Sequence, residues 1–226
     1  MSSRAPIAIL FDLDGTLVDT IPFILASVRH AFEGYGRCPT DAEWIAGIGT
    51  PLRDQLAGFA RDASDVDRLF DRYRAFWVAE HDARTRAFPG AVEVVAGFAA
   101  AGHPLGIVTA KLEAGALRTL RHVGLLPHVG AVIGADSAPR AKPFPDPVLV
   151  ALSRLERAPA EAVLVGDSVH DLEAARAAGV FAVAATWGAC AREALASAHP
   201  DAWADDVRAL PEVVARFVGA GAGERC

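Results

Sequence analysis

Two aspartates near the N-terminus have the types and spacing to do chemistry. Asp12 and Asp14 follow the apolar run at residues 7–11, and Gly15 and Thr16 come directly after them. If the run is a buried strand, both carboxylates lie at its C-terminal tip, where open α/β sheets place their active sites. The carboxylates repel each other unless a proton or a cation lies between them, and Mg²⁺ with oxygen ligands is the simplest resolution. The alternative is a strand followed by an Asp-rich turn.

The two carboxylates are suited to different catalytic roles. Asp12 is the candidate nucleophile, because a carboxylate can attack phosphorus and form an aspartyl-phosphate. Asp14 is the candidate acid–base group, which would protonate the leaving oxygen and then deprotonate the attacking water. Strand alternation puts residues two apart on one face, and Gly15 lets the backbone turn and approach a phosphate closely.

Two more polar groups occur where later strands are expected to end. Thr109 ends an apolar run, so its hydroxyl and the backbone N–H groups after it can hold phosphate oxygens, or it can cap the following helix. Lys142 precedes prolines at 143, 145 and 147, which stiffen its loop. Its charge would balance an aspartate nucleophile and the transferring phosphoryl group, although a lone Lys-Pro is usually a solvated turn.

The segment at residues 166–171 adds two acids. Asp167 follows an apolar run and is a candidate third oxygen ligand for the cation. Asp171 could orient a metal-bound water or Lys142, or it could be the N-cap of a helix at 172–178. His170, between them, is interpreted as a solvated loop histidine.

Helix-like and strand-like segments alternate from residue 88 onward. Strands are predicted at 105–108, 131–133, 163–165 and 180–184, and helices at 91–101, 112–123, 147–155 and 172–178. Such alternation implies crossover units and a parallel sheet covered on both faces. Since the carboxyl ends of neighbouring parallel strands converge, we expect the candidate residues to meet at one edge of this sheet.

The segment between about residues 20 and 87 contains no convincing strand. Apolar residues recur there at helical spacing, and Thr40 with Asp41 offers the start of a short helix. The predicted fold is therefore α/β, a doubly wound parallel sheet with an inserted α-helical cap. We assign residues 1–16 and 88–226 to the core domain and 17–87 to the cap domain.

Composition limits the class of protein. The 226 residues are 52% hydrophobic with a formal net charge of −6, and no basic run indicates nucleic-acid binding. No stretch approaches the roughly 20 apolar residues of a membrane span, so we expect a cytoplasmic protein without a membrane partner. Three distant cysteines, at 38, 190 and 226, suggest neither a zinc site nor a disulfide framework. Residues 219–226 are interpreted as a frayed end, and oligomeric state is left open.

Four segments together resemble the ordered motifs of the haloacid dehalogenase (HAD) superfamily. They are DLDGTLVD at 12–19, IVTAK at 107–111, KPFPDP at 142–147 and GDSVHD at 166–171. The resemblance extends from residue 7 to about 187, and the helical insertion resembles the cap of the phosphoglycolate phosphatase-like subfamily. It implies a Rossmann-like core, and Mg²⁺ bound by Asp12, the backbone carbonyl of Asp14, and Asp167. It also implies that Thr109 and Lys142 bind the phosphoryl group.

Particular residues refine the resemblance. True dehalogenases lack an acid at the position of Asp14, so Asp14 favours phosphate chemistry. Many relatives have Asn where this chain has Ala110. Alanine keeps the backbone N–H at this position but lacks the side-chain contact that asparagine could make. The segment at 47–56 resembles the cap loop of phosphoglycolate phosphatases and of pyrophosphate-hydrolysing enzymes. Arg53 in it could meet a substrate carboxylate or a second phosphate, or be a solvated helix residue.

The predicted function is a Mg²⁺-dependent phosphatase that hydrolyses a small phosphomonoester, with phosphoglycolate favoured, through an aspartyl-phosphate at Asp12. The alternatives on the same core are a pyrophosphatase, a sugar-phosphate phosphatase or phosphomutase, and a nucleotidase. A phosphonate hydrolase would need a cap lysine, and residues 20–87 contain none. A non-catalytic protein on this scaffold should have lost a core acid or Lys142, and all are present.

Overall fold

A parallel sheet of six strands forms the centre of the protein, in a computed structural model that describes residues 6–220. The strands are β1 Ala8–Phe11, β2 Leu105–Val108, β3 Ala131–Ile133, β4 Ala162–Gly166, β5 Phe181–Ala185 and β6 Ala202–Ala204. Their order is β3-β2-β1-β4-β5-β6, and every neighbouring pair is parallel. The predicted doubly wound α/β fold is confirmed, with β1 near the middle of the sheet.

The helices are α1 Ile21–Phe32, α2 Asp41–Ile45, α3 Leu52–Ala57, α4 Ala63–Arg84, α5 Ala91–Ala100, α6 Glu113–His122, α7 Asp146–Arg154, α8 Val169–Ala177, α9 Arg192–Ala196 and α10 Leu210–Ala220.

Side chains of β1 alternate between the two faces of the sheet. Ile9 and Phe11 pack in an apolar cluster with residues of α5, α6 and α10. Ala8 and Leu10 pack in a second cluster with residues of α7, α8 and α9. Helices therefore cover both faces, which is why β1 is apolar without interruption.

Helices α1–α4 have an apolar cluster of their own. Phe23, Trp44, Leu69 and Tyr73 are among its buried members. Thr40 caps α2 as the sequence predicts, because its side chain accepts from the backbone N of Glu43 and the Glu43 carboxylate accepts from the backbone N of Thr40. The domain limits at 17–87 stay a prediction, and we call α1–α4 the cap helices after it.

The chain leaves β1 and returns to the sheet through two adjacent connections. The backbone N of Asp19 donates to the carbonyl of Arg86 at 2.9 Å, and the N of Phe88 donates to the carbonyl of Leu17 at 3.0 Å. Residues 17–20 and 85–88 thus lie side by side. A movement of the cap helices relative to the sheet would have to bend both connections together.

The C-terminal part contains elements for which the sequence analysis made no prediction, namely α9, β6 and α10. Of the segment interpreted as a frayed end, residues 219 and 220 belong to α10, and the prediction for 221–226 lies outside the described residues. Within residues 6–220, none of the helices is both long enough and apolar enough to cross a membrane.

Candidate active site

The carboxyl end of β1 brings Asp12 next to Lys142. The backbone N of Asp12 donates to the carbonyl of Val165 at 2.9 Å, which extends the pairing of β1 with β4. The Lys142 Nζ donates to Asp12 Oδ1 at 2.9 Å, to Asp171 Oδ1 at 2.5 Å and to the carbonyl of Val108 at 3.1 Å. Residues from four distant parts of the chain thus meet at one point, as the sequence analysis expects.

Burial and charge shape this cluster together. Burial raises the pKa of Asp12 well above its ordinary value, and the Lys142 ammonium opposes this shift. Burial also raises the pKa of Asp167 to about 7, with a further contribution from the charge of Asp171. Burial works against the charge of Lys142, but Asp12 and Asp171 attract the ammonium and raise its pKa overall. Lys142 therefore carries a positive charge at neutral pH.

Three of the buried carboxylates form a group that fits a cation. Oxygens of Asp12, Asp167 and Asp171 lie within 4.8 Å of one another. Asp167 is held from two sides, because Thr16 Oγ1 donates to its Oδ1 at 2.7 Å and the backbone N of Ala189 donates to its Oδ2 at 2.7 Å. One ammonium does not balance three carboxylates, and an all-oxygen donor set suits a hard divalent ion.

Two capping alternatives are wrong. Helix α8 is capped by Ser168, whose side chain accepts from the backbone N of Asp171, while Asp171 Oδ2 accepts from the backbone N of Ser168 at 3.0 Å. Asp171 is thus not the N-cap, and it makes the predicted contact with Lys142. Helix α6 begins at Glu113, and Thr109 Oγ1 instead accepts from the backbone N of Lys111 at 3.2 Å.

His170 is not a loop histidine, contrary to its interpretation from the sequence. It lies in the first turn of α8, and its Nδ1 is 3.1 Å from the carbonyl oxygen of Ile48. Ile48 precedes Gly49 in the segment that resembles a cap loop. His170 therefore connects the core domain, near Asp167, to that segment.

Among the described residues, Asp14 accepts hydrogen bonds from side chains that do not hydrogen-bond to Asp12. Its Oδ1 accepts from Lys111 Nζ at 2.7 Å and from Thr20 Oγ1 at 2.6 Å. Lys111 belongs to the segment IVTAK at 107–111, but no role is predicted for it from the sequence. A signal for it exists, because the chain has two lysines among its 22 basic residues, and the other is Lys142.

A cavity of about 500 Å³ lies above these residues. Asp12, Asp14, Thr109 and Lys111 line it from the sheet side, and Trp77 is among the residues that line it from the cap helices. Its size lies within the range of small-molecule sites, so the candidate residues face a space that can hold a substrate.

Arg53 also lines this cavity but is already paired. Its Nη1 lies 2.5 Å from Asp67 Oδ1, and its guanidinium stacks 4.2 Å from the centre of the Phe70 ring. The side chain is 52% exposed. Contact between Arg53 and a substrate anion stays a prediction, and it would require the guanidinium to share or leave Asp67.

Comparison with known proteins agrees with this geometry. Residues 9–185 match the family model described as haloacid dehalogenase-like hydrolase. The chain is 35% identical to pyrophosphatase PpaX of Bacillus velezensis, over 89% of this chain and 93% of that protein. It is 31% identical to a phosphoglycolate phosphatase of Agrobacterium fabrum, over 98% and 99% of the two chains.

A solved structure is similar over almost the same length. It is a haloacid dehalogenase-like family hydrolase from Streptococcus pneumoniae, with 29% identity and a TM-score of 0.79. The match covers 94% of this chain and 98% of that one. Sequence and fold therefore point to the same family.

Proposed function

The chain belongs to the haloacid dehalogenase-like hydrolases and is a phosphatase of that family, and we propose that it is Mg²⁺-dependent and hydrolyses a small phosphomonoester through an aspartyl-phosphate at Asp12. The observation that carries this proposal is the contact of Lys142 with both Asp12 and Asp171 beside Asp167. A carboxylate suited to act as the nucleophile, a fixed positive charge and acids that could hold a cation lie together at the carboxyl ends of the strands, which supports the proposal.

The donor set supports magnesium as the cation. Asp12 and Asp167 would hold it together with the backbone carbonyl of Asp14, and Asp171 lies in the same group of carboxylates. When bound, Mg²⁺ supplies positive charge that neutralises the carboxylates and the phosphoryl oxygens. The cap helices would exclude water from the site, and its exclusion would strengthen these electrostatic interactions.

The residues of the chain account for both displacements. A carboxylate oxygen of Asp12 forms a bond to phosphorus while the bond from phosphorus to the leaving oxygen breaks, and Asp14 gives that oxygen a proton. Asp14 then takes a proton from water, whose oxygen bonds to phosphorus and displaces the Asp12 carboxylate. Thr109 and the N–H groups after it hold phosphoryl oxygens, and Lys142 balances their charge.

Phosphoglycolate is the favoured substrate, and pyrophosphate is the second candidate. Support comes from the relatives, since the chain is 31% identical to a phosphoglycolate phosphatase and 35% identical to a pyrophosphatase. Both compounds are small and have a second negative group beside the reacting phosphate. Ala110 offers a substrate no side-chain hydrogen bond. Other residues that line the cavity must therefore distinguish phosphoglycolate from pyrophosphate.

The test is phosphate release from a panel of small phosphorylated metabolites, with Mg²⁺ and with chelator. We expect Mg²⁺-dependent turnover of phosphoglycolate above the other esters. Asp12→Asn keeps the size of the side chain but removes the nucleophile, so it should lose activity by several orders of magnitude while its circular dichroism spectrum is unchanged. An active Asp12→Asn enzyme would refute the covalent mechanism, and no turnover of any ester by the wild type would refute the function.

A further inference from the structure

Lys111 stands between the acid–base residue and the cap helices. Its Nζ lies 2.7 Å from Asp14 Oδ1 and 5.3 Å from the centre of the Trp77 ring. Its side chain is 14% exposed and lines the cavity with Asp14 and Trp77. A positive charge with little access to bulk water thus faces the space where a substrate would lie.

The choice of lysine at this position is itself informative. The chain has 22 Lys and Arg residues, and the only two lysines are Lys111 and Lys142. Arginine serves in the exposed pairs, such as Arg29 with Asp41. A lysine ammonium is compact and sits on a flexible stem, so it can change partners, whereas the planar guanidinium favours one fixed geometry.

The two lysines differ in how firmly they are held. Lys142 is 1% exposed and donates to two carboxylates and a backbone carbonyl. Lys111 is more open, and Asp14 is the carboxylate that holds it among the described residues. Lys142 is therefore a fixed charge, while Lys111 has room and spare donors for a second acceptor.

We propose that Lys111 determines specificity for leaving groups that carry a second negative charge. The inference rests on the proposed function, in which Asp14 faces the leaving oxygen. A carboxylate or phosphate on the leaving group would then lie beside the Lys111 ammonium. Lys111 exchanges its contact with Asp14 for one with that anion. Asp14 keeps its hydrogen bond from Thr20 but is no longer held by the Lys111 ammonium, so it can turn to the leaving oxygen. A neutral leaving group does not draw Lys111 away from Asp14.

Arg53 is another basic residue of the cavity lining, and its contacts fit this role less well. The guanidinium pairs with Asp67 and stacks on Phe70, both of which belong to α4. Among the described residues, Arg53 has no hydrogen bond or ion pair with Asp14. Lys111 is thus the basic residue that links the acid–base group to the cavity.

The experiment compares two esters that differ in charge but hardly in shape. Phosphoglycolate carries a carboxylate, and its carboxamide analogue, phosphoglycolamide, is neutral at the same position. Phosphate release is measured for both with the wild type, Lys111→Met and Lys111→Arg. Arg118→Met is the matched control, because Arg118 also lies over the Trp77 ring, at 5.4 Å, but pairs with Asp82 and not with Asp14.

We expect the wild type to prefer phosphoglycolate by about 10- to 100-fold in kcat/KM, the range of one charge-assisted hydrogen bond. Lys111→Met should lose most of this preference, because the anionic ester loses its partner while the neutral ester meets an Asp14 that Lys111 no longer holds. Lys111→Arg should keep part of it, and Arg118→Met should keep it in full. An unchanged preference in Lys111→Met would overturn the inference while leaving the proposed function intact. A wild type that hydrolyses neither ester would remove phosphoglycolate as the substrate, and the inference with it.

Discussion

Lys142 is the residue on which the buried charges of the site depend. Its side chain is 1% exposed and bridges Asp12 and Asp171. Lys142→Met keeps most of the side-chain volume but leaves both carboxylates buried without their counter-charge. We expect the free energy of unfolding, measured by urea denaturation in chelator, to fall by about 3–5 kcal/mol, as when one partner of a buried ion pair is removed. Phosphatase activity should be lost as well.

Arg140→Met is the matched control for this change. Arg140 lies in the same loop and pairs with Asp146, but its side chain is 55% exposed. Solvent screens such a pair, so its loss should change stability far less. Equal losses for the two variants would show that the loop, and not the buried charge cluster, is responsible.

Site residues could be predicted where a motif carries its own chemistry. Asp12 and Asp167 directly follow the apolar strands β1 and β4, and Lys142 lies in the loop after β3. The topology of the sheet alone was enough to bring the three together. Lys111 was missed because its partner, Asp14, is 97 residues away and nothing local distinguishes this lysine from a solvated one. Asp171 was ambiguous because a capping acid and an acid that holds a distant lysine have the same local sequence.

The turn after β1 leaves room for Asp167, one of the candidate cation ligands. Gly15 has a φ of +88°, and a Cβ atom there would collide with the Asp167 carboxylate. Gly15→Ala should therefore displace Asp167 and weaken cation binding. We expect kcat/KM at low Mg²⁺ to fall by about 10- to 100-fold, the usual effect of disturbing the support of a metal ligand. The measurement is the Mg²⁺ dependence of phosphate release.

Gly34→Ala is the control that separates the effect of backbone strain from the effect of the collision with Asp167. Gly34 also has a positive φ, of +74°, but no atom lies within 4 Å of the position that its Cβ would take. This variant should cost about 1–2 kcal/mol of stability from the left-handed backbone alone. Its activity should remain. A similar loss of activity in both variants would contradict the argument from Asp167.

The elements that could be predicted are those with a clear apolar pattern. Strands β1 to β5 and helices α5 to α7 lie within a residue or two of their predicted positions. Strand β6, Ala202–Ala204, is as short as β3, but acids lie on both sides of it and two of its three residues are only partly buried, so no apolar run marks it. Helix α8 begins earlier than predicted, at Val169, because Ser168 and Asp171 form a capping box that was interpreted as a loop with a later cap.

At the scale of the whole molecule, the cap helices contact the sheet and its flanking helices in more than one place. The paired connections at 17–20 and 85–88 form one contact. A second lies where Trp77 of α4 packs against Lys111, just before α6, and against Arg118 of α6. Because Trp77 belongs to α4 and Lys111 to the core, the position of the cap helices decides the surroundings of the Lys111 ammonium. If Lys111 sets substrate choice as proposed, that choice depends on the position of the cap helices through this contact.

The same interface contains a buried hydrogen bond that can be tested alone. His81 of α4 and Thr119 of α6 are both fully buried, and His81 Nε2 lies 2.9 Å from Thr119 Oγ1. Burial lowers the pKa of His81, so its imidazole is neutral at pH 7.5, and its contribution to stability is lost only as the pH falls below its ordinary value of about 6.5.

Thr119→Val keeps the shape of the side chain but removes the hydroxyl group, which leaves a buried ring nitrogen of His81 without its partner. At pH 7.5 we expect the free energy of unfolding in urea to fall by about 1–3 kcal/mol, the cost of an unsatisfied buried polar group. Hydrogen exchange should become faster in the C-terminal half of α4 and in α6. Thr119→Ser keeps the hydroxyl and loses only a methyl group, so it should retain slow exchange at this interface. Faster exchange in the serine variant than in the valine variant would show that methyl packing, and not the bond to His81, holds α4 against α6.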